Sequence, residues 1–516
     1  MKHRISSRLV GSAFLTLAKC LVAVVLVGYS PADAAMPCED LAGIALVNGS
    51  VNSAQLVSPG AFSPPAGRGS ITVYERLPAF CRVTATLTPT SDSEIKTEIW
   101  LPAAGWNGKF QAVGNGGWAG TIPYPALAAA LMNGYAAAGT DTGHTGNNAD
   151  FALGHPEKLI DLAYRSIHEM TVHAKAIINS SYGSPVQFSY YNGCSQGGRQ
   201  GLAAAQRYPQ DFDGIVAGAA SWNQMRAHGA RVALNRIVNK DAGSVIPSSK
   251  YAMIHAAVIN ACDARDGVKD GVIEDPQMCK FDYGDLACKA GDAPNCLTKG
   301  QIESARAMTS PILDPNSSRV LFAGHLMPGS ELGWATLGGP EPLGVALTGM
   351  RNVVFKDRSW DYRNIDISAD IDFADKSDGG AMYSGDPELK PFFARGGKLL
   401  MYHGWNDPQV NPLNSVIYYD SVVKTVGKDQ TAKSIALFMV PGMNHCSGGP
   451  GTDTFDKVKV LEQWVEQGKT PTEIVASHLT SGQVDKTRPL CPYPQIAKYK
   501  GTGSTNEAAN FVCAAR

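Results

Sequence analysis

No long block of one charge sign occurs in this chain of 516 residues, and its formal net charge is -1. Nucleic acid and anionic membrane surfaces are bound through clustered cations, so neither is an expected partner. No Cys-x-x-Cys occurs and no Cys/His group has ligand spacing, which argues against zinc. Beyond the N-terminus no run is apolar enough for long enough to cross a bilayer, so no membrane association is expected once that segment is removed. Neither an internal repeat nor a low-complexity tract interrupts the chain.

What the chain does have begins with an export signal. Lys2, His3, Arg4 and Arg8 form a basic start, Ala13 to Val27 is mostly apolar, and Ala32-Asp33-Ala34 supplies an A-x-A cleavage site. Residues 1–34 are therefore expected to be removed, leaving a secreted or periplasmic protein. A membrane anchor is the alternative, but the apolar run is short and broken by Lys19. Removal takes Cys20 and leaves an even set: Cys38, Cys81, Cys194, Cys262, Cys279, Cys288, Cys296, Cys446, Cys491 and Cys513. An even set behind an export signal points to disulfides. The length exceeds what one hydrophobic core usually holds, so a large domain with an insertion or a second domain is expected.

Glu94 to Leu101 alternates apolar and polar residues, as a half-buried strand does. Lys109 to Val113 reads as a strand running into the turn Gly114-Asn115-Gly116-Gly117, and Tyr135 to Gly139 as another ending at Asp141-Thr142-Gly143-His144. A helical period over Leu162 to Ile178, a strand over Val186 to Asn192, a helix over Gly198 to Arg207 and a strand over Gly214 to Gly218 follow. Such alternation predicts an α/β protein with a mostly parallel sheet covered on both faces. The pattern fades near Asn223 and returns with strands at Gly397 to Tyr402 and Ser434 to Val440 and an amphipathic helix at Phe455 to Gln467. We read residues 35–223 and 389–516 as two parts of one core, and 224–388 as a large insertion over the sheet's active edge. An independent domain is the alternative.

Gly193-Cys194-Ser195-Gln196-Gly197 lies between an apolar strand and a helix, the context a nucleophile elbow requires. A serine hydroxyl needs an adjacent base, and this fold class orders its triad Ser, then Asp or Glu, then His. Asp407 follows the strand ending at Tyr402, and His445 follows the strand ending at Val440. Of the other histidines, His144, His168 and His403 among them, none has His445's place after the last sheet strand beside a cysteine. A Cys194–Cys446 disulfide would hold the serine beside its base. The oxyanion needs two N–H donors, and Gln196 and Gly117 are the candidates.

Cys194-Ser195 and His445-Cys446, with Asp407 between, resemble the tannase and feruloyl esterase family of α/β-hydrolases. The resemblance runs from about Cys38 to the C-terminus and includes Trp106-Asn107-Gly108, Gly197-Gly198-Arg199, Tyr208-Pro209, Asp213 to Ala219, Val440 to Cys446 and Arg488 to Pro494. It implies an α/β-hydrolase fold with a large lid domain inserted between the nucleophile strand and the acid and base strands. It also implies disulfides 38–81, 194–446, 262–279, 288–296 and 491–513, a choice that spacing alone leaves open.

Cys262 to Asp275 concentrates carboxylates and glycines, which suits either a hard cation or a solvated acidic loop. The spacing is not that of an EF-hand. The resemblance implies structural Ca2+ in the lid, held by the carboxylates of Asp263, Asp266 and Asp270 and the carbonyls of Val268 and Val272.

The expected activity is hydrolysis of small aromatic carboxylic esters through an acyl-enzyme, with plant phenolic or cell-wall esters as natural partners. Gallate, ferulate or related hydroxycinnamate, and terephthalate monoesters all fit the family. A terephthalate monoester carries a free carboxylate and calls for a lid cation, for which Arg351 and Arg358 lie in the right segment. A non-catalytic, calcium-stabilised binding protein and a serine peptidase of the same fold are the other classes. No pattern sets the oligomeric state.

Overall fold

The computed structural model describes residues 35–65, 71–324 and 326–516. The export signal read at residues 1–34 lies outside the described residues. Ten strands form one sheet. They are β1 (Ala45–Leu46), β2 (Gly49–Val57), β3 (Phe80–Leu87), β4 (Ile95–Pro102), β5 (Lys109–Val113), β6 (Ala136–Thr140), β7 (Phe188–Cys194) and β8 (Gly214–Gly218). After two short strands outside the sheet, β9 (Ile312–Leu313) and β10 (Val320–Phe322), come β11 (Lys398–Gly404) and β12 (Ile435–Val440). The spatial order is β1-β2-β3-β4-β6-β5-β7-β8-β11-β12. From β6 to β12 all neighbours are parallel, whereas β1 to β4 add an antiparallel wing, with β4 antiparallel to β6.

The parallel half follows from composition. Gly214–Gly218 and Ile435–Val440 are continuous apolar runs in which every residue is buried, as strands covered on both faces must be. Successive side chains alternate between the two faces. Leu399 and Met401 join the core under the helices Ser166–Tyr182 and Leu413–Val426. Leu400 and Tyr402 join the opposite core under Tyr124–Met132 and Lys457–Gln467. Leu461 and Trp464 lie in that second core, as the period of the last helix predicts. Burying one such side chain stabilises by about 1.5–3 kcal/mol, so the two layers fix the strand ends that carry the site.

Between β8 and β11 the chain leaves the sheet and builds a mostly helical insertion with a core of its own, including Leu234, Ile254, Leu297, Met308 and Trp334. The C-terminal segment adds two hairpins, β13 (Ile474–Thr480) with β14 (Gln483–Leu490) and β15 (Ile496–Tyr499) with β16 (Phe511–Ala514). Five disulfides join Cys38 to Cys81, Cys194 to Cys446, Cys262 to Cys279, Cys288 to Cys296 and Cys491 to Cys513, the pairing the resemblance implies. Among the described residues no helix is long and apolar enough to cross a membrane.

Candidate active site

Ser195 sits between β7 and the helix Gln196–Arg207 with φ 63° and ψ −122°. Such a backbone costs on the order of 1–3 kcal/mol and persists only where its surroundings enforce it. Two hydrogen bonds enforce it here: Ser195 N donates to Gly218 O at 2.9 Å, and Arg199 N donates to Ser195 O at 3.0 Å. The close approach explains Gly198, since a Cβ there would stand 2.1 Å from Gly218 O. Arg199 is wholly buried and gives Nε to Gln196 Oε1 at 3.0 Å, which pins the side chain of the residue after the serine. Its Nη2 donates to Ala163 O at 2.6 Å, and Gln200 Nε2 donates to Leu162 O at 3.2 Å. Both carbonyls belong to the π-helical turn Asp161–Arg165, which interrupts the long helix predicted from Leu162. Burial brings the Arg199 guanidinium down to about 10, so it remains charged at neutral pH.

Asp407 and His445 come from the loops after β11 and β12. The loops are tied together by Trp405 N to Val440 O at 2.9 Å and Asn406 N to Met443 O at 3.0 Å. His445 Nδ1 lies 2.6 Å from Asp407 Oδ2, so the proton on that nitrogen points at the carboxylate and leaves Nε2 free as a base. Asp407 is fully buried, and its Oδ1 accepts from Gln409 N at 2.7 Å and Val410 N at 2.9 Å. A second imidazole shares Oδ2. His403 Nε2 lies 3.0 Å from it and 3.2 Å from Val410 O, with Ser415 Oγ 2.8 Å from Nδ1. Burial by itself would raise the Asp407 pKa, but the charge of His445 and hydrogen bonds from His403 and His445 outweigh it. The carboxyl therefore stays well below the usual range. His403 is thus part of the surroundings of Asp407.

The Cys194–Cys446 disulfide joins the residues beside Ser195 and His445, with Cα atoms 6.1 Å apart. Among the described contacts the Ser195 hydroxyl and the His445 ring are not hydrogen-bonded to each other; in serine hydrolases this bond commonly tightens only with substrate bound. The turn after β5 packs on the elbow, since a Cβ on Gly114 would meet Gly197 Cα at 2.6 Å. Neither Gln196 N nor Gly117 N has an acceptor among the described hydrogen bonds, and Gly117 has a φ of 52°. His144 supports this turn from behind, with Nε2 2.8 Å from Trp118 O. His168 lies elsewhere, on the helix Ser166–Tyr182 and paired with Asp211.

Residues 81–514 match the family model for tannase and feruloyl esterase. The chain belongs to that family. It is a carboxylic ester hydrolase on the α/β-hydrolase fold. It is 35% identical, over 93% of its length and 92% of the relative's, to an uncharacterized esterase of Xanthomonas campestris pv. campestris. Feruloyl esterase B from Aspergillus oryzae superposes with a TM-score of 0.86 at 31% identity, covering 92% of this chain and 99% of that one. Tannin acyl hydrolase from Aspergillus niger gives a TM-score of 0.76 at 23% identity, covering 94% of each chain, a likeness of fold alone.

The acidic loop of this esterase is closed by the Cys262–Cys279 bond. Its carboxylates turn onto the loop's own amides: Asp263 accepts from Gly271 N at 3.0 Å, Asp266 from Val268 N at 2.9 Å and Asp270 from Val272 N at 3.2 Å. The other Asp270 oxygen pairs with Arg488. Among the described residues no three His, Cys, Asp or Glu side chains converge as a metal cluster. The Val268 and Val272 carbonyls accept no hydrogen bond among those described. The donor set is all oxygen and includes two carbonyls without a described donor, the ligand type a hard cation takes, while Lys486 joins Arg488 on Asp270 and the three carboxylates stand apart.

The packing at the elbow makes Gly198→Ala a direct test of the site. The added methyl displaces Gly218 O and with it the Ser195 amide, and turnover of p-nitrophenyl acetate is expected to fall by about 100-fold or more. An unchanged kcat in a folded variant would contradict this reading of the elbow.

Proposed function

We propose that this esterase is a secreted or periplasmic enzyme that cleaves esters of aromatic acids, hydroxycinnamic or gallic, through an acyl-enzyme. The carrying observation is the His445–Asp407 hydrogen bond, tethered beside Ser195 by the Cys194–Cys446 disulfide. Ser195 Oγ attacks the ester carbonyl while His445 Nε2 takes its proton. Asp407 holds the imidazole tautomer and stabilises the cation that forms. The Gln196 and Gly117 N–H groups receive the oxyanion, each worth about 3–4 kcal/mol of transition-state stabilisation. The tetrahedral species collapses, His445 returns the proton to the departing alcohol, and water repeats the sequence on the acyl-enzyme.

The insertion, residues 224–388, acts as a lid and shapes the acyl pocket. This reading is supported by its contacts with the site: Trp118 Nε1 donates to Val345 O at 2.8 Å, and Asn406 Nδ2 donates to Gly329 O at 2.8 Å. Hydroxycinnamate is favoured over gallate because the similarity to a feruloyl esterase is greater in sequence than that to a tannin acyl hydrolase. The terephthalate reading finds less support, since Arg351 Nε is committed to Trp360 O at 3.0 Å and Arg358 shares a cavity with Asp141, His144 and His155. Five disulfides favour an oxidising compartment. Structural Ca2+ would be held by Asp263, Asp266, Asp270 and the Val268 and Val272 carbonyls, where it would brace the loop against the C-terminal hairpins.

A hydrolysis panel of methyl ferulate, chlorogenate, methyl gallate and a terephthalate monoester is expected to rank the hydroxycinnamates first. Ser195→Ala should lower every rate by at least about 10⁴-fold; full turnover in that variant would refute the assignment. Calcium a hundredfold above its Kd should stabilise by about 3 kcal/mol, seen as a higher Tm that EGTA reverses and Asp266→Asn abolishes. A Tm indifferent to both would leave the loop a solvated acidic turn.

A further inference from the structure

The insertion's first long helix, Gln224–Val238, is buried on all sides apart from Arg226, Arg236 and Ile237. Among its buried residues are Gln224, His228 and Arg231, spaced to share one face. Arg231 is 3% exposed and places Nη1 3.0 Å from His228 Nδ1. Its Nε donates to Gln409 O at 2.9 Å. That carbonyl belongs to the peptide whose N–H is Val410 N, and Val410 N donates to Asp407 Oδ1 at 2.9 Å. One peptide therefore links a buried guanidinium on its oxygen side to the buried carboxylate on its nitrogen side. A cation on a carbonyl polarises the amide, and a polarised N–H is a stronger donor to the next acceptor in line.

We propose that Arg231 is a positioning residue that couples the docked insertion to the orientation and charge of Asp407 through the Gln409–Val410 peptide. The proposal rests on the Ser195–Asp407–His445 reading. Asp407 faces His445 from the β12 loop, His403 from β11, and Arg231 from the insertion. The fourth nearby group, His228, is neutral. Burial, and then the charge of Arg231, holds its pKa well below the ordinary value. Its Nδ1 accepts from Arg231, and Gln224 Nε2 lies 3.1 Å from its Nε2. Burial brings Arg231 down to about 10, leaving it charged wherever His445 works as a base. No carboxylate is hydrogen-bonded to Arg231 among the described contacts, and Asp407 is the carboxylate its charge acts on.

A nearby cation disfavours protonated imidazole. Removing the Arg231 charge is therefore expected to move the acid limb of the reaction to higher pH. The test is the pH dependence of Ser195 labelling by a fluorophosphonate, read by intact mass, in the full chain and in Arg231→Met and Arg231→Lys. CD and Tm confirm folding. In Arg231→Met the labelling rate is expected to fall about 10–100-fold and the acid limb to move up by about 0.5–1 pH unit. Arg231→Lys keeps the charge but not the fork, so its acid limb should stay with the parent and its rate fall between the two. Parental rate and acid limb in folded Arg231→Met would overturn the proposal while leaving the triad intact. So would a slower rate with an unmoved limb in both variants, which would make Arg231 a packing residue. A parent chain unlabelled at Ser195 would overturn the triad reading, and this proposal with it.

Discussion

The proposed catalytic edge depends on one covalent bond, Cys194–Cys446, that crosses the sheet. In the strand order, β7 and β12 are separated by β8 and β11, so the ends that carry Ser195 and His445 start three strand spacings apart, roughly 14 Å. Yet Cys194 and Cys446 have Cα atoms only 6.1 Å apart. The loop after β12 must therefore lean across two strand ends to reach the elbow. Its other ties are local: Met443 N to Val440 O at 3.4 Å, Asn444 N to Gly448 O at 2.9 Å, Gly448 N to Asp453 Oδ2 at 2.6 Å, Gly451 N to Gly442 O at 3.3 Å, and the bond from Asn406. The disulfide closes a loop of 252 residues, for which the chain-entropy model gives on the order of 5 kcal/mol. That is comparable to the net stability of a whole domain, about 5–15 kcal/mol.

Asp407 is held by a different principle, hydrogen bonding at every side. Both oxygens of the buried Asp407 are engaged, Oδ1 by two loop amides and Oδ2 by two histidines. Such a carboxylate cannot rotate without breaking several charge-assisted bonds in a medium where each is expensive to lose. The serine, by contrast, is placed by steric closeness at Gly198 and a strained backbone. Ser195, His445 and Asp407, the proposed nucleophile, base and acid, thus rest on backbone strain, a covalent tie and a polar network, and the insertion touches the Trp118 turn and the Asp407 loop that flank them.

Legibility from sequence followed the strength of local signals. β5, β8 and β12 were readable because each is a short apolar run next to a turn, and the elbow because its glycines bracket the serine. Of the antiparallel wing only β4 was readable, from the alternation over Glu94 to Leu101, and β1 to β3 were missed. β2 carries a register shift between Val51 and Ser53, which breaks the two-residue period that would have announced it. Helix Gln224–Val238 was invisible for a related reason: nearly all of it is buried, polar residues included, so no apolar stripe stands out. His403 was readable only as a histidine near Asp407; nothing local says that its ring points back at the carboxylate four residues on. Arg231 reaches the Asp407 loop from 176 positions earlier in the chain, through a backbone peptide that has no side-chain signature.

The most direct test of the disulfide's role is kcat/KM for p-nitrophenyl acetate in Cys194→Ala/Cys446→Ala, with CD and Tm to establish that the fold persists. If the bond sets the nucleophile–base geometry, kcat/KM falls by about 100-fold or more in a chain that is still folded. Undiminished kcat/KM in the folded double variant would contradict that account and make the bond a stabiliser alone.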